Sequence, residues 1–381
     1  MKNFRRFLPA LAAVTLLSLP ARTLSQQTVS GTFTTIDFPG AVDTVECCSA
    51  TLNINEQGQI VGGYADASGT GHGFLLKAGK FTTIDFPRAV YTEALGINPR
   101  GYIVGEYLDA NMKSHGFLLR PRGFSTIDGP AATNTFINWI NPQGDMVGGY
   151  SDTGGVFHGL LVRRGVLTTI DFPNASNTFG LGINAQGDIV GQYIDSAGLN
   201  AHGFLLSRGK FSTFDFPGAV TAVSACNNFG GGATYTNGIN DKGAIVGGYC
   251  GADNQVHGFL LTREEGDEEE LSGQAEAKVT RLKGTFITID FLHAIFSFTS
   301  GLNSEGQIVG GYQSVDGHYH GFLLSTCEQQ TDNQGQCDNS SNNVTSVMSN
   351  RPLKVAVSGN ARKLIRQRRD LNRFGRPIWL Q

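Results

Sequence analysis

Six histidines recur in one setting. His72, His115, His158, His202, His257 and His320 each precede a glycine, and five of the six pairs continue Phe-Leu-Leu. Imidazole is the side chain suited both to proton transfer near neutral pH and to metal binding, so these are the first candidates for chemistry. In the first four copies an aspartate follows 13 residues later, at Asp85, Asp128, Asp171 and Asp215. Asp290 holds the same place in the fifth copy's TIDF-like segment, and a copy of that segment at the start of the chain carries Asp37. A metal site needs three or four ligands converging on one point. Histidines spaced by 43, 43, 44, 55 and 63 residues are instead spread over a repeat. The expected role is therefore structural: a hydrogen bond between each His and its Asp that ties two strands together, with no metal assigned.

A second set of acids, Asp66, Asp109, Asp152, Asp195, Asp253 and Asp316, precedes the repeat histidines by four to seven residues. Aspartate beside glycine caps its own turn. Gathered on one rim, the same carboxylates would bind a polyol or a cation such as Ca²⁺, which takes several oxygen ligands. No other cofactor is implied. The chain contains neither GxSxG nor HExxH, and Gly230-Gly231-Gly232 lacks the Lys-Ser/Thr that a phosphate loop needs. Carboxylate pairs for glycoside hydrolysis meet in space rather than in sequence; Glu46 and Glu93 are the non-repeated acids that would join one. No catalytic residue is assigned, and His293 and His318 lie off the pattern without a nameable partner.

The elements that must position these residues are read from the repeat. LNINEQGQIVGGY from Leu52 recurs as LGINPRGYIVGEY from Leu95, NWINPQGDMVGGY from Asn138, LGINAQGDIVGQY from Leu181, NGINDKGAIVGGY from Asn237 and SGLNSEGQIVGGY from Ser300. A period near 43 residues fits four short strands and their turns, the size of one propeller blade. Strand a precedes the Ile-Asn, strand b is QIVGGY, strand c is HGFLL and strand d is FTTIDF. Asn-x-x-Gly makes the a–b turn. The 13-residue spacing puts two-residue c–d loops at Ala78-Gly79, Pro121-Arg122, Arg164-Gly165 and Arg208-Gly209, which sets His72 opposite Asp85, Phe74 opposite Thr83 and Leu76 opposite Phe81.

The chain opens on a d element (Phe33–Pro39) and its sixth copy ends after c, at Leu324. Six complete blades follow only if the first strand pairs with the last, bringing Asp37 to His320. The expected fold is all-β: a six-bladed β-propeller of four-stranded blades over residues 31–325, closed without exposed sheet edges at the seam. Two insertions interrupt it. Gly218–Thr236 lengthens the d–a connection into blade 5, on the mouth shared with the b–c connections. Arg263–Gly284 enters the c–d hairpin of blade 5 and holds seven acids and no base between Glu264 and Glu276, which predicts a disordered loop on the opposite face.

Residues 1–25 read as a secretory signal: Lys2, Arg5 and Arg6 precede an apolar run from Phe7 to Leu19, too short to anchor in a bilayer. Export to the periplasm or the extracellular space makes disulfides of the six cysteines plausible. Proximity favours Cys226 with Cys250 and Cys327 with Cys337; Cys47 and Cys48 stay unassigned. Between Gln26 and Asn350 the chain has 31 acidic and 16 basic residues, a net of −15, which excludes nucleic acid as a partner of the body. Residues 326–350 read as a polar linker. Residues 351–381 carry nine bases and one acid, a basic tail able to rest on an anionic surface. No apolar run is long enough to span a membrane.

The combination GIN-x-x-G-x-IVG-x-Y, HGFLL and TIDFPGA resembles the HAF family of extracellular bacterial repeats, with His-Gly-Phe here where that family has His-Ala-Phe. The resemblance covers residues 31–325 in six copies and implies export and a repeat β fold; it carries no activity, substrate or catalytic residue. The expected function is a monomeric, secreted, non-catalytic binding or scaffold propeller that recognises a glycan or protein through the d–a and b–c connections, around Asp43–Ala50 and Thr221–Thr236. The alternatives are a secreted polysaccharide hydrolase or lyase with acids at the mouth, and an envelope protein held by its basic tail.

Overall fold

The computed structural model describes residues 31–44, 52–224, 226, 234–263, 268–270 and 279–326. Every regular element among them is a β-strand. The strands form six antiparallel sheets that follow the repeat. Blade 2 is representative, with Tyr91–Ile97, Ile103–Leu108, Ser114–Arg120 and Gly123–Ile127 in succession. The c–d registers match the loop arithmetic: Phe74 faces Thr83 and Leu76 faces Phe81.

Blade 6 is built from both ends of the repeat region. Phe296–Leu302, Gln307–Gln313 and Tyr319–Thr326 are completed by Gly31–Ile36, which pairs antiparallel with the third strand from Gly31 opposite Thr326 to Ile36 opposite Gly321. A second closure lies nearer the axis. The buried asparagine of each a–b turn donates Nδ2 to the backbone carbonyl of its counterpart in the next blade: Asn55 to Asn98, Asn98 to Asn141, Asn141 to Asn184, Asn184 to Asn240, and Asn240 to Asn303. Asn303 donates to Asn55 at 3.2 Å and completes the circle. The Oδ1 atom of each accepts turn N–H groups, as Asn55 does from Gln57 and Gln59. One side chain therefore shapes its turn and holds the neighbouring blade.

The core is divided among the six gaps between blades. Val61 and Leu75 of blade 1, for example, pack with Ala94 and Phe117 of blade 2. In five gaps three phenylalanines meet, one each from the d–a connection, strand c and strand d. They are Phe38, Phe74 and Phe81; Phe86, Phe117 and Phe124; Phe172, Phe204 and Phe211; Phe216, Phe259 and Phe286; and Phe291, Phe322 and Phe33. The third blade has Gly129, Leu160 and Leu167 at these places. The first glycine of each VGxY sequence is dictated by this packing: a Cβ on Gly105 would overlap the Glu93 carbonyl oxygen and the Phe117 ring.

Two blades depart from four plain strands. In blade 1 the innermost strand is split into Asp43–Thr44 and Asn53–Ile54, both paired to Ile60–Ala65. Blade 4 has six strands. The insertion read from the sequence as a disordered loop instead contributes Thr280–Leu282, which lies parallel to the outer strand Lys210–Phe214, and Glu268–Glu270 beyond it. The order comes from its apolar part: Val279 and Leu282 are buried, and Ser212 Oγ lies 2.6 Å from Thr280 Oγ1. The acidic stretch alone gave the sequence reading its solvated character.

The repeat ends at Thr326, within the last strand. The signal segment, the rest of the linker and the basic tail lie outside the described residues, as do Cys47, Cys48, Cys327 and Cys337. Cys226 and Cys250 form a disulfide with a Cα–Cα distance of 5.8 Å. No helix among the described residues is long and apolar enough to cross a membrane.

Candidate functional site

The mouth formed by the d–a and b–c connections carries a six-fold cluster of side chains. Strand b ends in a tyrosine whose hydroxyl reaches a strand-d threonine: Tyr64–Thr83, Tyr107–Thr126, Tyr150–Thr169, Tyr193–Thr213, Tyr249–Thr288 and Tyr312–Thr35, all 2.9–3.2 Å. On one side of the tyrosine stacks the repeat histidine, with centroids 5.1 Å apart for Tyr64 and His72. On the other stacks the phenylalanine of the incoming d–a connection, at 3.6 Å for Phe38 on Tyr64. Blade 3 lacks this last ring because Gly129 stands there, its backbone drawn against Tyr150.

Every repeat histidine is held at Nδ1, and five of the six also face a loop group at Nε2. Nδ1 lies 2.7–2.9 Å from the strand-d carboxylate in His72–Asp85, His115–Asp128, His158–Asp171, His202–Asp215, His257–Asp290 and His320–Asp37. Nε2 faces the b–c loop: 3.4 Å to Asp66, 3.6 Å to Asp109, 3.7 Å to Asp152 and 3.2 Å to Asp253 from their respective histidines. The loop acids also cap their own turns. Asp66 Oδ1 accepts from Ser68 N and Thr70 N, Asp109 from Asn111 N and Lys113 N, and Asp152 from Gly154 N and Val156 N. The turn-capping and the rim-facing readings of these acids thus meet in one side chain.

Blades 4 to 6 vary the scheme. Asp195 accepts from Asn200 Nδ2 at 2.8 Å and Leu199 N at 2.9 Å. In blades 5 and 6 the position equivalent to Asp66 is taken by Gly251 and Ser314, whose N–H groups bond to the carbonyl four residues on. Asp253 and Asp316 are displaced by two residues. Asp253 still reaches His257, whereas Asp316 accepts from the Ser314 hydroxyl, and it is Ser314 Oγ that lies 3.1 Å from His320 Nε2. The sequence reading placed both acids in one series because it counted back from the histidine rather than forward from the strand.

The hydrogen bonds and charges of the cluster shift its titrating groups in opposite directions. Burial lowers the His72 pKa, but the hydrogen bonds and charges of Asp85 and Asp66 outweigh it and raise the net value. Hydrogen bonds to Asp215, Asp290 and Asp37 lead the same upward shift at His202, His257 and His320. The loop acids move down. Backbone N–H groups are the largest cause for Asp109 and Asp152, and the Ser314 hydroxyl for Asp316. At Asp66, Asp195 and Asp253 burial acts upward and the donors overcome it. Where a loop acid reaches Nε2, as at His72 and His257, both ring nitrogens are engaged by carboxylates. Among the described residues no three His, Cys, Asp or Glu side chains gather as metal ligands.

Glu93 and Glu106 are the acids that break the repeat inside the blades. They stand opposite one another across the first two strands of blade 2. They nevertheless serve separate gaps. Glu93 is buried, accepts from Tyr91 Oη at 2.7 Å and packs beside Gly63 of blade 1. Glu106 lies 2.7 Å from Ser114 Oγ, which is also 2.9 Å from the Thr135 carbonyl of blade 3. The Ser114 hydroxyl donates to both, sharing its proton between the carboxylate and the carbonyl. Glu106 keeps some exposed surface, yet its carboxyl is densely surrounded and burial pushes its pKa up. Glu46 lies outside the described residues.

Two further residues were missed by pattern alone. His318 Nδ1 lies 3.2 Å from Asp43 Oδ1, which also accepts from Tyr319 N, so the b–c loop of blade 6 is tied to the start of blade 1. Neither residue repeats, and only ring closure brings them together.

Compared with protein-family models and with curated sequences, the chain matches none. Solved structures that resemble it include TolB from Acinetobacter baumannii, at 14% identity over 72% of this chain with a TM-score of 0.39; the chain spans 54% of that protein's length. The Aleuria aurantia lectin in complex with Fucα1-6GlcNAc aligns at 9% identity over 74% of this chain and 93% of the lectin, with a TM-score of 0.44. The β-propeller domain of the Trilobed protease from Pyrococcus furiosus aligns at 12% identity over 74% of this chain and 98% of that domain, with a TM-score of 0.36. At these identities the likeness concerns the fold alone.

Proposed function

We propose that the ring is a secreted, non-catalytic binding or scaffold propeller that takes a glycan or a protein on the mouth of its d–a and b–c connections, acting as a monomer. The observation that carries this reading is where large apolar side chains stand in solvent. Among the described residues eight large apolar side chains are exposed, and six of them, Val156, Leu199, Val220, Leu292, Ile295 and Val315, are on connections of that mouth; Leu292 is 74% and Val315 is 81% exposed. Exposed apolar residues rimmed by polar ones mark interaction surfaces, and both sugar rings and peptide side chains present the apolar faces that such residues take. The repeated His and Asp groups are engaged with one another, which leaves the non-repeated loop residues to discriminate. Export is supported by the residue 1–25 pattern and by a disulfide suited to an oxidising compartment; membership of the HAF repeats is part of the same proposal.

The test is a glycan array and a panel of envelope polysaccharides and proteins, probed with the mature chain and with Leu292→Asp/Val315→Asp. Binding by the wild type that falls at least about tenfold in the variant is expected. Equal binding by both overturns the assignment of the mouth. Turnover of any glycan would replace binding by the hydrolase or lyase reading.

A further inference from the structure

We infer that the gap between blades 2 and 3 is a second binding site, on the side away from the mouth, for a small amphipathic organic anion. Fifteen of the eighteen positions in the phenylalanine trios hold Phe, and the three exceptions, Gly129, Leu160 and Leu167, fall in the same gap. Scattered substitutions would leave each gap filled by its remaining rings. Here Leu160 is fully buried and Gly129 lies against Tyr150 on the mouth side, so the space left open is at Leu167, where the closed ring holds the sheets at fixed spacing. A groove of about 1260 Å³ opens on this side of the gap, and of the three residues Leu167 lines it. Its walls are mixed: Leu118 and Ile127 of blade 2 and Met146, Val162 and Leu167 of blade 3 supply an apolar stripe beside the polar Ser125, Thr126 and Gln143. Leu167 is 38% exposed where the other blades bring a phenylalanine into mutual ring contact.

The rim of the same groove carries Arg100, Arg120, Arg122, Arg163 and Arg164. These are five of the 16 basic residues in a body of net charge −15. Arg163 is paired with Asp145 at 2.8 Å and Arg120 lies over the Tyr102 ring at 5.8 Å. Among the described residues, Arg100, Arg122 and Arg164 have no carboxylate within ion-pair distance. Five guanidinium groups face two aspartates in the lining, Asp128 and Asp145, which are already engaged by His115 and Arg163, and that surplus beside an apolar stripe selects a ligand with two parts. A ring or short acyl chain takes the space that phenylalanine fills elsewhere, and a carboxylate, sulfate or phosphate meets the arginines in bidentate geometry. A neutral apolar molecule would forgo the rim, and an extended polyanion would not enter between the sheets. The turns that supply Arg100, Arg122 and Arg164 lie on the a–b and c–d side, so this site is independent of the mouth.

The experiment uses the mature chain and 8-anilinonaphthalene-1-sulfonate, an aromatic sulfonate that brightens in apolar surroundings, followed by fluorescence and by calorimetry for stoichiometry. One saturable site per chain is expected, with its affinity falling as salt is raised. Leu167→Phe, which restores the residue of the other blades, should weaken binding about tenfold or more. Arg100→Gln/Arg122→Gln should weaken it about fivefold and flatten the salt dependence. The uncharged analogue N-phenyl-1-naphthylamine should bind about tenfold more weakly than the sulfonate. Thermal melts of each variant show that the ring is intact. Wild-type affinity in a folded Leu167→Phe chain overturns the location, equal affinity for the neutral analogue overturns the anionic character, and several unsaturable sites reduce the signal to non-specific surface binding and overturn the site altogether.

Discussion

Asn303 Nδ2 donates to the carbonyl oxygen of Asn55 at 3.2 Å across 248 positions of sequence, and that contact is the sixth member of a cycle whose other five join consecutive blades. It makes the circle near the axis continuous even though the chain is not. The cycle gives a direct prediction. Asn303→Ala and Asn98→Ala should each cost about 1–3 kcal/mol, because each leaves buried backbone groups without partners, and the two costs should match. Urea unfolding measures both; a much smaller cost at Asn303 would mean that the last link is weaker than the rest.

The histidine clusters predict a stability maximum in mild acid. His72, His202, His257 and His320 have raised folded pKa values, so their contribution is complete below the unfolded value of about 6.5 and is lost as pH rises through the folded values. The loop aspartates have lowered values, so theirs is complete above about 3.9 and is lost as pH falls through the folded values. The melting temperature should therefore peak between those limits and decline on both sides. In a His72→Gln/His320→Gln chain the decline on the alkaline side should shrink.

Reduction of Cys226–Cys250 should lower stability by about 3 kcal/mol, the chain-entropy expectation for a loop of 24 residues. Cys226→Ser/Cys250→Ser should reproduce the effect without reductant. The melting point with and without dithiothreitol, in wild type and variant, checks it, and the variant should lose most of the wild type's sensitivity to the reagent.

Calcium should leave the melting transition where it is. The oxygens of Asp66, Asp109 and Asp152 are already used by loop N–H groups and by histidine, so a cation would have to displace donors that cap the turns. An upward shift of several degrees at millimolar Ca²⁺, reversed by chelator, would restore the cation reading of the rim.

Deleting residues through Ile36 should release the edge of Tyr319–Thr326 and produce oligomers by edge pairing. Replacing Glu264–Lys283 by a two-residue loop should leave a folded monomer, since the insertion adds strands outside a complete four-stranded blade. Light scattering distinguishes the two.

What could be read from residue order alone follows from the period of the chain. The spacing from His72 to Asp85 fixed a hairpin register that held at Phe74 and Leu76 because a two-residue loop leaves little choice. The placement of Gly31–Ile36 in blade 6 followed from counting elements. The asparagine cycle was hidden because Asn55 and its counterparts already had a sufficient local role in their turns. The strand Thr280–Leu282 was hidden by the acids around it. The blade 2–3 groove needed Leu167 to be superimposed on the phenylalanines of the other blades and on arginines from separate turns, and strand pairing does that where a linear scan does not.

The pairing of Gly31–Ile36 with the strand that ends at Thr326 also sets a timetable. The opening segment has its partner only after nearly the whole repeat region has been synthesised, since Asp37 waits 283 positions for His320. Until then five blades can assemble from neighbours in sequence while the sixth stays incomplete at both ends of the polypeptide. Closing so long a span is entropically costly, so the final zippering is the natural slow step of maturation. A chain halted short of Tyr319 would display two sticky borders at once, and holding those apart falls to whatever receives it as it emerges.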